Sequence, residues 1–403
     1  MGINVIIVVG LLLSYWGAYT YMKKLATQQG VRPFPRERRM YSSPPFYGIL
    51  VVLIQLHSVL ISLAVGCALS VTEPVQLLIL GLFFLGSGAA CMSFLNLVFP
   101  ARKWVERCIK GLLRICAIVA VLVTVAIGFT LIAQTFRFFR YVPLVDFLTG
   151  TQWSPTTGAF GAGASFGILP LFSGTAMIAG IAMIVAVPLG IFLALFLSQY
   201  ATKKQRTVLK PVLEVLSGIP SIVYGFFAVA AVSPFLKYVG DSLGISVQSE
   251  NALGAGLVMG VMIIPYMSAL SEDVLRGVPV YLKHASLALG ATKAETIWKV
   301  VLPTAFPGLM GAFLLSLSRA LGETMLVVMA LGLTANLTAN PLHTVTAVTV
   351  QIVNLLTGDQ VFESPGPLSA FALGLILFLI TLGLNVVAFQ IVKRQRKRYA
   401  VED

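Results

Sequence analysis

Charge is scarce in this 403-residue chain, where Asp, Glu, Lys and Arg together make up 11% of the residues. An ordinary soluble domain carries roughly 25%. Hydrophobic residues make up 58%, and mean hydropathy is +0.92. A soluble fold could not cover so much apolar surface, so the composition excludes a disordered chain, a water-soluble enzyme and a conventional nucleic-acid binder. Cysteine is also rare. Cys67, Cys91, Cys108 and Cys116 all lie in the first third and never fall at CxxC spacing, which favours small buried hydrophobes over metal or disulfide chemistry. His57, His284 and His343 are scattered and never reach ligand spacing, so no metal site is expected.

Other absences concern catalysis. The chain has no Gly-Lys dipeptide, which excludes a GxxxxGK[ST] phosphate loop, and neither GxSxG nor HExxH occurs. No nucleophile–base constellation stands out, so the chain is not expected to be an enzyme or to bind a cofactor. Any ATP that it depends on would be bound by another subunit.

Long apolar runs are what the chain has instead. A spanning helix needs about 20 mostly apolar residues. The sequence predicts nine spans: Ile3–Tyr21, Phe46–Leu69, Val75–Phe99, Gly111–Gln134, Ile168–Ser198, Val212–Phe235, Ala252–Leu270, Ala305–Leu333 and Leu368–Val392. The first has no Lys or Arg before it, which favours a retained helix with its N-terminus outside. With that orientation, every Lys and Arg except Arg137, Arg140, Lys237 and Arg319 falls on the inside. This is the bias of the positive-inside rule, so the net charge of +13 reads as topology and gives no ground for nucleic-acid binding. Two outside loops are long, Thr135–Gly167 and Thr334–Pro367, and either function or flexible filler accounts for them.

One long inside loop, Ser271–Thr304, carries the most specific pattern. Small residues at 285, 286, 288, 290 and 291 let a partner surface approach closely, and Gly290 permits a sharp bend between two short helices. Pro303 suits the first turn of the next helix. A plain connector helix is the alternative. His284-Ala285-Ser286, three residues, Gly290, nine residues, then Val300-Val301-Leu302-Pro303 resembles the E-A-A-x3-G-x9-I-x-L-P loop of ABC importer permeases. Gly290, Leu302 and Pro303 match by identity; His284, Ser286 and Val300 depart from the pattern. The resemblance implies that the loop docks into a cleft of a separate ATPase.

Further stretches narrow the likeness. They are Phe166-Gly167-Ile168-Leu169-Pro170-Leu171, Val187-Pro188-Leu189-Gly190, Ser217-Gly218-Ile219-Pro220-Ser221 and Ile263-Ile264-Pro265-Tyr266, followed by Ser318-Arg319-Ala320-Leu321-Gly322-Glu323-Thr324-Met325. Together they resemble the permeases of phosphate-specific (Pst) ABC importers, with Met325 resembling the C-type subunit. The likeness covers roughly residues 111–392. It implies an all-α membrane protein, a polytopic helical bundle with a six-helix type I ABC importer (MetI-like) core over residues 101–403. Residues 1–100 then form an N-terminal extension of about three transmembrane helices. It implies further partners: a second, A-type permease, two copies of an ATPase using ATP and Mg, and an extracytoplasmic phosphate-binding protein. The implied location is the bacterial inner membrane, multi-pass, with the C-terminus inside.

Arg319 and Glu323 are the ionisable residues well inside the predicted spans, four apart and so on one helical face where they can pair. An unpaired Arg at mid-bilayer costs at least about 2.5–3.5 kcal/mol, so it faces a partner or a water-filled path. A structural ion pair accounts for both residues; so does a pathway in which the guanidinium fork binds phosphate oxygens. The Pst resemblance implies that Arg319, Glu323 and Thr324 belong to the pathway. Pro220 breaks the helical ladder beside Ser221, and broken backbone in a membrane lines protein or a cavity. The segment is therefore a candidate lining or hinge, with a packing kink as the alternative. A permease for sulfate or molybdate shares the loop and remains open. So does a membrane signalling component that reports phosphate supply.

Overall fold

A computed structural model of the chain describes scattered helical residues between 14 and 55, then residues 101–155, 163–357 and 364–399. The expected spans Ile3–Tyr21, Phe46–Leu69 and Val75–Phe99 lie wholly or mostly outside the described residues. The chain divides into two compact units, Met1–Ala126 and Ile127–Asp403. Six helices among the described residues are long and apolar enough to cross a membrane.

Helix α1 (Ala101–Phe138) covers the expected span Gly111–Gln134. Its side chains Ile118, Val121, Val125 and Phe129 are exposed, a surface suited to lipid. The expected loop that follows is partly ordered by aromatic packing. A short helix α2 (Leu144–Thr149) and a two-stranded antiparallel ribbon, β1 (Trp153–Ser154) with β2 (Ser165–Phe166), fold over Phe138. The Phe138 ring meets Phe147 edge-on at 5.1 Å and Phe166 at 5.5 Å. Trp153 Nε1 donates to Gln351 Oε1 at 3.2 Å and ties this cap to the distant helix at Val348–Thr357.

The centre of the second unit is a pair of helices. Helix α3 (Leu169–Leu195) starts on Pro170 and is apolar all round; it ends in a π-helical turn, Phe196–Tyr200. The other member is α7 (Ala252–Arg276). Gly256 and Gly260 stand four apart on it and let α3 approach closely. A Cβ on Gly260 would sit 2.9 Å from the Ala182 carbonyl, and one on Gly256 would sit 2.7 Å from Ile181 Cβ. Small residues at helical spacing permit this backbone approach, which replaces hydrophobic driving force with close packing inside a membrane. Ile178, Ala182, Met259, Ile263 and Met267 fill the seam.

Between α3 and α7 the expected span Val212–Phe235 proves to be two elements. Helix α4 (Lys203–Gly218) opens on a capping box, in which the Thr202 side chain accepts from the Gln205 amide and Gln205 accepts from the Thr202 amide. It ends at Ile219, and α5 (Ser221–Phe227) begins after Pro220. Proline lacks an N–H and pushes the residue before it to extended backbone; Ile219 has ψ 128. The apolar helix itself is α5, a π turn at Ala228–Val232 and α6 (Ser233–Ser242).

The expected span Ala305–Leu333 is displaced in the same way. Beyond α7 come α8 (Val280–Ala288), α9 (Lys293–Thr296), a π turn at Ile297–Val301 and α10 (Leu302–Leu321). The last of these stops at Gly322, so residues 322–333 lie outside the spanning helix. They hold a separate short helix, α11 (Met325–Ala330). Helix α12 (Val348–Thr357) falls within the expected loop Thr334–Pro367, and α13 (Pro365–Tyr399) contains the expected last span.

Candidate functional site

Two breaks in the helices face one cavity. The first is Ile219–Pro220, where the Tyr224 hydroxyl donates back to the Leu216 carbonyl at 3.0 Å and bridges the gap. The second is Gly322–Thr324, where the Glu323 amide donates to the Ala320 carbonyl and the Thr349 hydroxyl donates to the Glu323 carbonyl at 3.0 Å. The helices that follow the breaks pack closely: a Cβ on Gly225 of α5 would sit 2.9 Å from the Leu326 carbonyl of α11. Non-helical backbone at membrane depth persists only where protein or a water-filled cavity satisfies it, and both breaks meet that condition.

The cavity has a volume of about 420 Å³. Arg319, Glu323 and Ser221 line it, so the structure brings these three expected residues together. Pro220 sits between the lining residues Ile219 and Ser221, whereas Thr324 is not among the lining residues and its hydroxyl donates to the Gly322 carbonyl at 3.3 Å.

Arg319 and Glu323 differ from the ion pair that their spacing suggests. The helix ends between them, so the (i, i+4) geometry is lost, and none of the ion pairs among the described residues includes either one. The Arg319 guanidinium instead lies over the Tyr266 ring, 4.9 Å from its centroid. A cation over an aromatic face is held without giving up its hydrogen-bond donors, which stay free for an anion.

The loop residues form a second assembly. Pro279 leads into α8, and α9 opens on a capping box between Thr292 and Glu295. Between the two helices Gly290 has φ +84, a left-handed conformation that a β-carbon disfavours. The Ser286 and Thr296 hydroxyls share a hydrogen bond of 3.0 Å across the turn. The Thr292 amide and hydroxyl, followed by the nearby Lys299 charge, hold the Glu295 carboxyl below its ordinary range. Leu275, Val278, Ile297, Val301 and Ala305 bury the base of the loop against Ala194 and Leu195 of α3. The tip is open: His284, Ala285 and Gly290 are exposed, and Leu289 is 89% exposed. Leu302 is half-buried, and Pro303 lies in the first turn of α10.

Sequence reasoning missed Glu272, which it left within a solvated loop. The structure places it inside α7, 4% exposed, beside Arg206, Lys210 and Arg276. A signal was present: Arg206 and Lys210 stand four apart, as do Glu272 and Arg276, so each pair shares a helical face.

Residues 186–400, just over half of the chain, match the family described as the binding-protein-dependent transport system inner membrane component. The chain belongs to this family. The permease is 33% identical over 285 residues to the probable ABC transporter permease protein YqgH of Bacillus subtilis (strain 168), covering 70% of its own length and 89% of that relative. It is 34% identical over 261 residues to the phosphate transport system permease protein PstC of Mesorhizobium japonicum, covering 60% of its own chain and 76% of that one. Among solved structures, a bacterial ABC transporter involved in the import of alginate aligns over 73% of this permease and 100% of its own chain. The identity there is 16% and the TM-score 0.46.

Proposed function

We propose that this permease is the C-type subunit of an ATP-driven phosphate importer and forms half of its translocation pathway. The observation that carries the reading is the Arg319 guanidinium, which lines a cavity between two helix breaks with no carboxylate partner among the described residues. A lone guanidinium at membrane depth costs about 2.5–3.5 kcal/mol or more, and a passing anion offsets that cost. Its planar fork suits two oxygens of a phosphate. Glu323 in the same cavity repels a dianion and so favours its release, while Ser221 adds a neutral hydroxyl. The named relatives support phosphate as the cargo.

In this reading the chain is a multi-pass protein of the bacterial inner membrane, N-terminus outside and C-terminus inside, paired with an A-type permease. Two ATPase copies bind ATP and Mg, and an extracytoplasmic phosphate-binding protein delivers the anion. The loop from His284 to Pro303 receives the ATPase: its tip offers Leu289 and small residues to an incoming surface, and its base is packed on α3 and α7. Closure of the ATPases on ATP would move that base and, with it, the inner end of the cavity.

Uptake of labelled phosphate and labelled sulfate by the assembled transporter tests the cargo. Phosphate uptake that excess unlabelled sulfate leaves unchanged is the expected result. Sulfate or molybdate transported in its place would overturn the phosphate assignment and leave a permease for another oxyanion.

A further inference from the structure

Helix α4 is held to the rest of the molecule in an unusual way. It buries none of its side chains within this chain, and Val208, Val212 and Val215 are exposed. Apolar packing within the chain therefore contributes little to its position. Charge does more. The Glu272 carboxylate, on α7 and only 4% exposed, faces Lys210 Nζ at 3.2 Å and Arg206 Nη2 at 3.6 Å, both from α4. Arg276, one turn along on α7, approaches to 2.5 Å. Arg206 also donates to the Leu197 carbonyl in the π turn that ends α3. A carboxylate removed from water needs its cations close, so α4 follows the end of α7 wherever that end goes.

Both ends of this attachment matter. Four residues beyond Arg276, α8 begins, and Leu275 and Val278 are buried with Ile297 and Val301, so the end of α7 and the base of the loop form one packed body. Lys210 and Glu272 themselves line the cavity, and so does Ser217 in the last turn of α4, after which the chain bends at Ile219–Pro220. Helix α4 thus carries the two cations of the cluster in its first half and ends at the proline break.

We infer that Glu272 is a positioning residue that makes α4 move as one body with the 271–304 loop, so that the cavity wall at Ser217–Ser221 moves in step with the ATPase. This rests on the permease reading above. Its contribution is to coupling: the number of anions moved for each ATP hydrolysed.

The test uses the full reconstituted complex, with Cys67, Cys91, Cys108 and Cys116 replaced by alanine and Ser217→Cys as the reporter. Labelling of that cysteine by a water-soluble maleimide is expected to differ about fivefold or more between nucleotide-free and ATP-trapped complexes. Arg206→Gln with Lys210→Gln cuts both ties to α4 yet leaves Glu272 paired with Arg276. In that variant the difference is expected to shrink below about twofold, and phosphate moved per ATP to fall by a similar factor while hydrolysis continues. Lys210→Gln alone, the milder change, is expected to fall between the two and serves if the double variant does not assemble. Arg206→Lys with Lys210→Arg keeps both charges and is expected to restore most of the response. A double variant with the full labelling difference overturns the inference, and so does an unmodified cluster whose reporter ignores nucleotide. A complex that answers nucleotide through the cluster but moves no phosphate supports the inference and overturns the cargo assignment instead.

Discussion

The Arg319 guanidinium lies 4.9 Å from the centroid of the Tyr266 ring, and this contact takes the place of an ion pair with Glu323. A cation over a ring is worth about 0.5–2 kcal/mol, depending on how dry the site is. Tyr266→Phe keeps the ring face and is expected to transport within about twofold of the parent. Tyr266→Ala removes it and is expected to slow uptake several-fold at normal membrane levels. Initial rates of labelled phosphate uptake check the pair; equal rates in both variants would show that the ring does not orient Arg319.

The close approach of α3 and α7 gives a stability prediction. In Gly260→Ala the new Cβ meets the Ala182 carbonyl at 2.9 Å and Val185 Cβ at 2.8 Å. Helix propensity favours alanine by about 1 kcal/mol, but crowding a packed seam costs about 1–3 kcal/mol. The clash involves backbone, so crowding is expected to win. Thermal unfolding in detergent should shift downward, and an unchanged or raised midpoint would contradict the close packing.

Gly290 tests the loop tip. A side chain there would meet nothing within 4 Å, so any effect comes from its φ of +84. Left-handed backbone costs roughly 1–2 kcal/mol for a residue with a β-carbon, and asparagine tolerates it better than most. The expected order of ATPase association and of uptake is Gly290, then Gly290→Asn, then Gly290→Val. Co-purification of the ATPase measures it; full association by the valine variant would remove the docking role from this turn.

Acid should loosen the second half of the same loop. Glu295 is held below its ordinary carboxyl range, first by the Thr292 amide and hydroxyl and then by Lys299. A depressed carboxyl contributes stability above its unfolded pKa and loses that contribution as pH falls through the folded value. The protection factors of amides at the start of α9 are therefore expected to hold at neutral pH and to fall once acid protonates Glu295. Glu295→Gln should remove that fall while keeping an acceptor for the cap. Protection that falls equally with acid in that variant would assign the effect elsewhere.

Much of this structure could be read from residues alone, for physical reasons. The helices α3, α7 and α13 are long apolar runs with no interior break, so length and hydropathy locate them. The loop bend at Gly290 was legible because glycine permits a sharp turn between two short helices, and its φ of +84 is such a turn. The break at Pro220 was legible because proline removes a donor from the helical ladder, although the expected span ran on through it. The break at Gly322–Thr324 was harder, because apolar residues on both sides continue a hydropathy run. The charge cluster was hidden for the opposite reason. Glu272 stands among polar neighbours that resemble a solvated loop, and only the fold shows that two basic residues some sixty positions earlier cover it.

The central claim is that Arg319 carries the anion through the cavity, and its most direct test is labelled phosphate uptake by the reconstituted complex bearing Arg319→Ala. The account predicts that uptake falls by about tenfold or more while the chain still inserts, assembles with its partners and supports ATP hydrolysis. Uptake equal to that of the unaltered complex, at equal membrane levels, would contradict it.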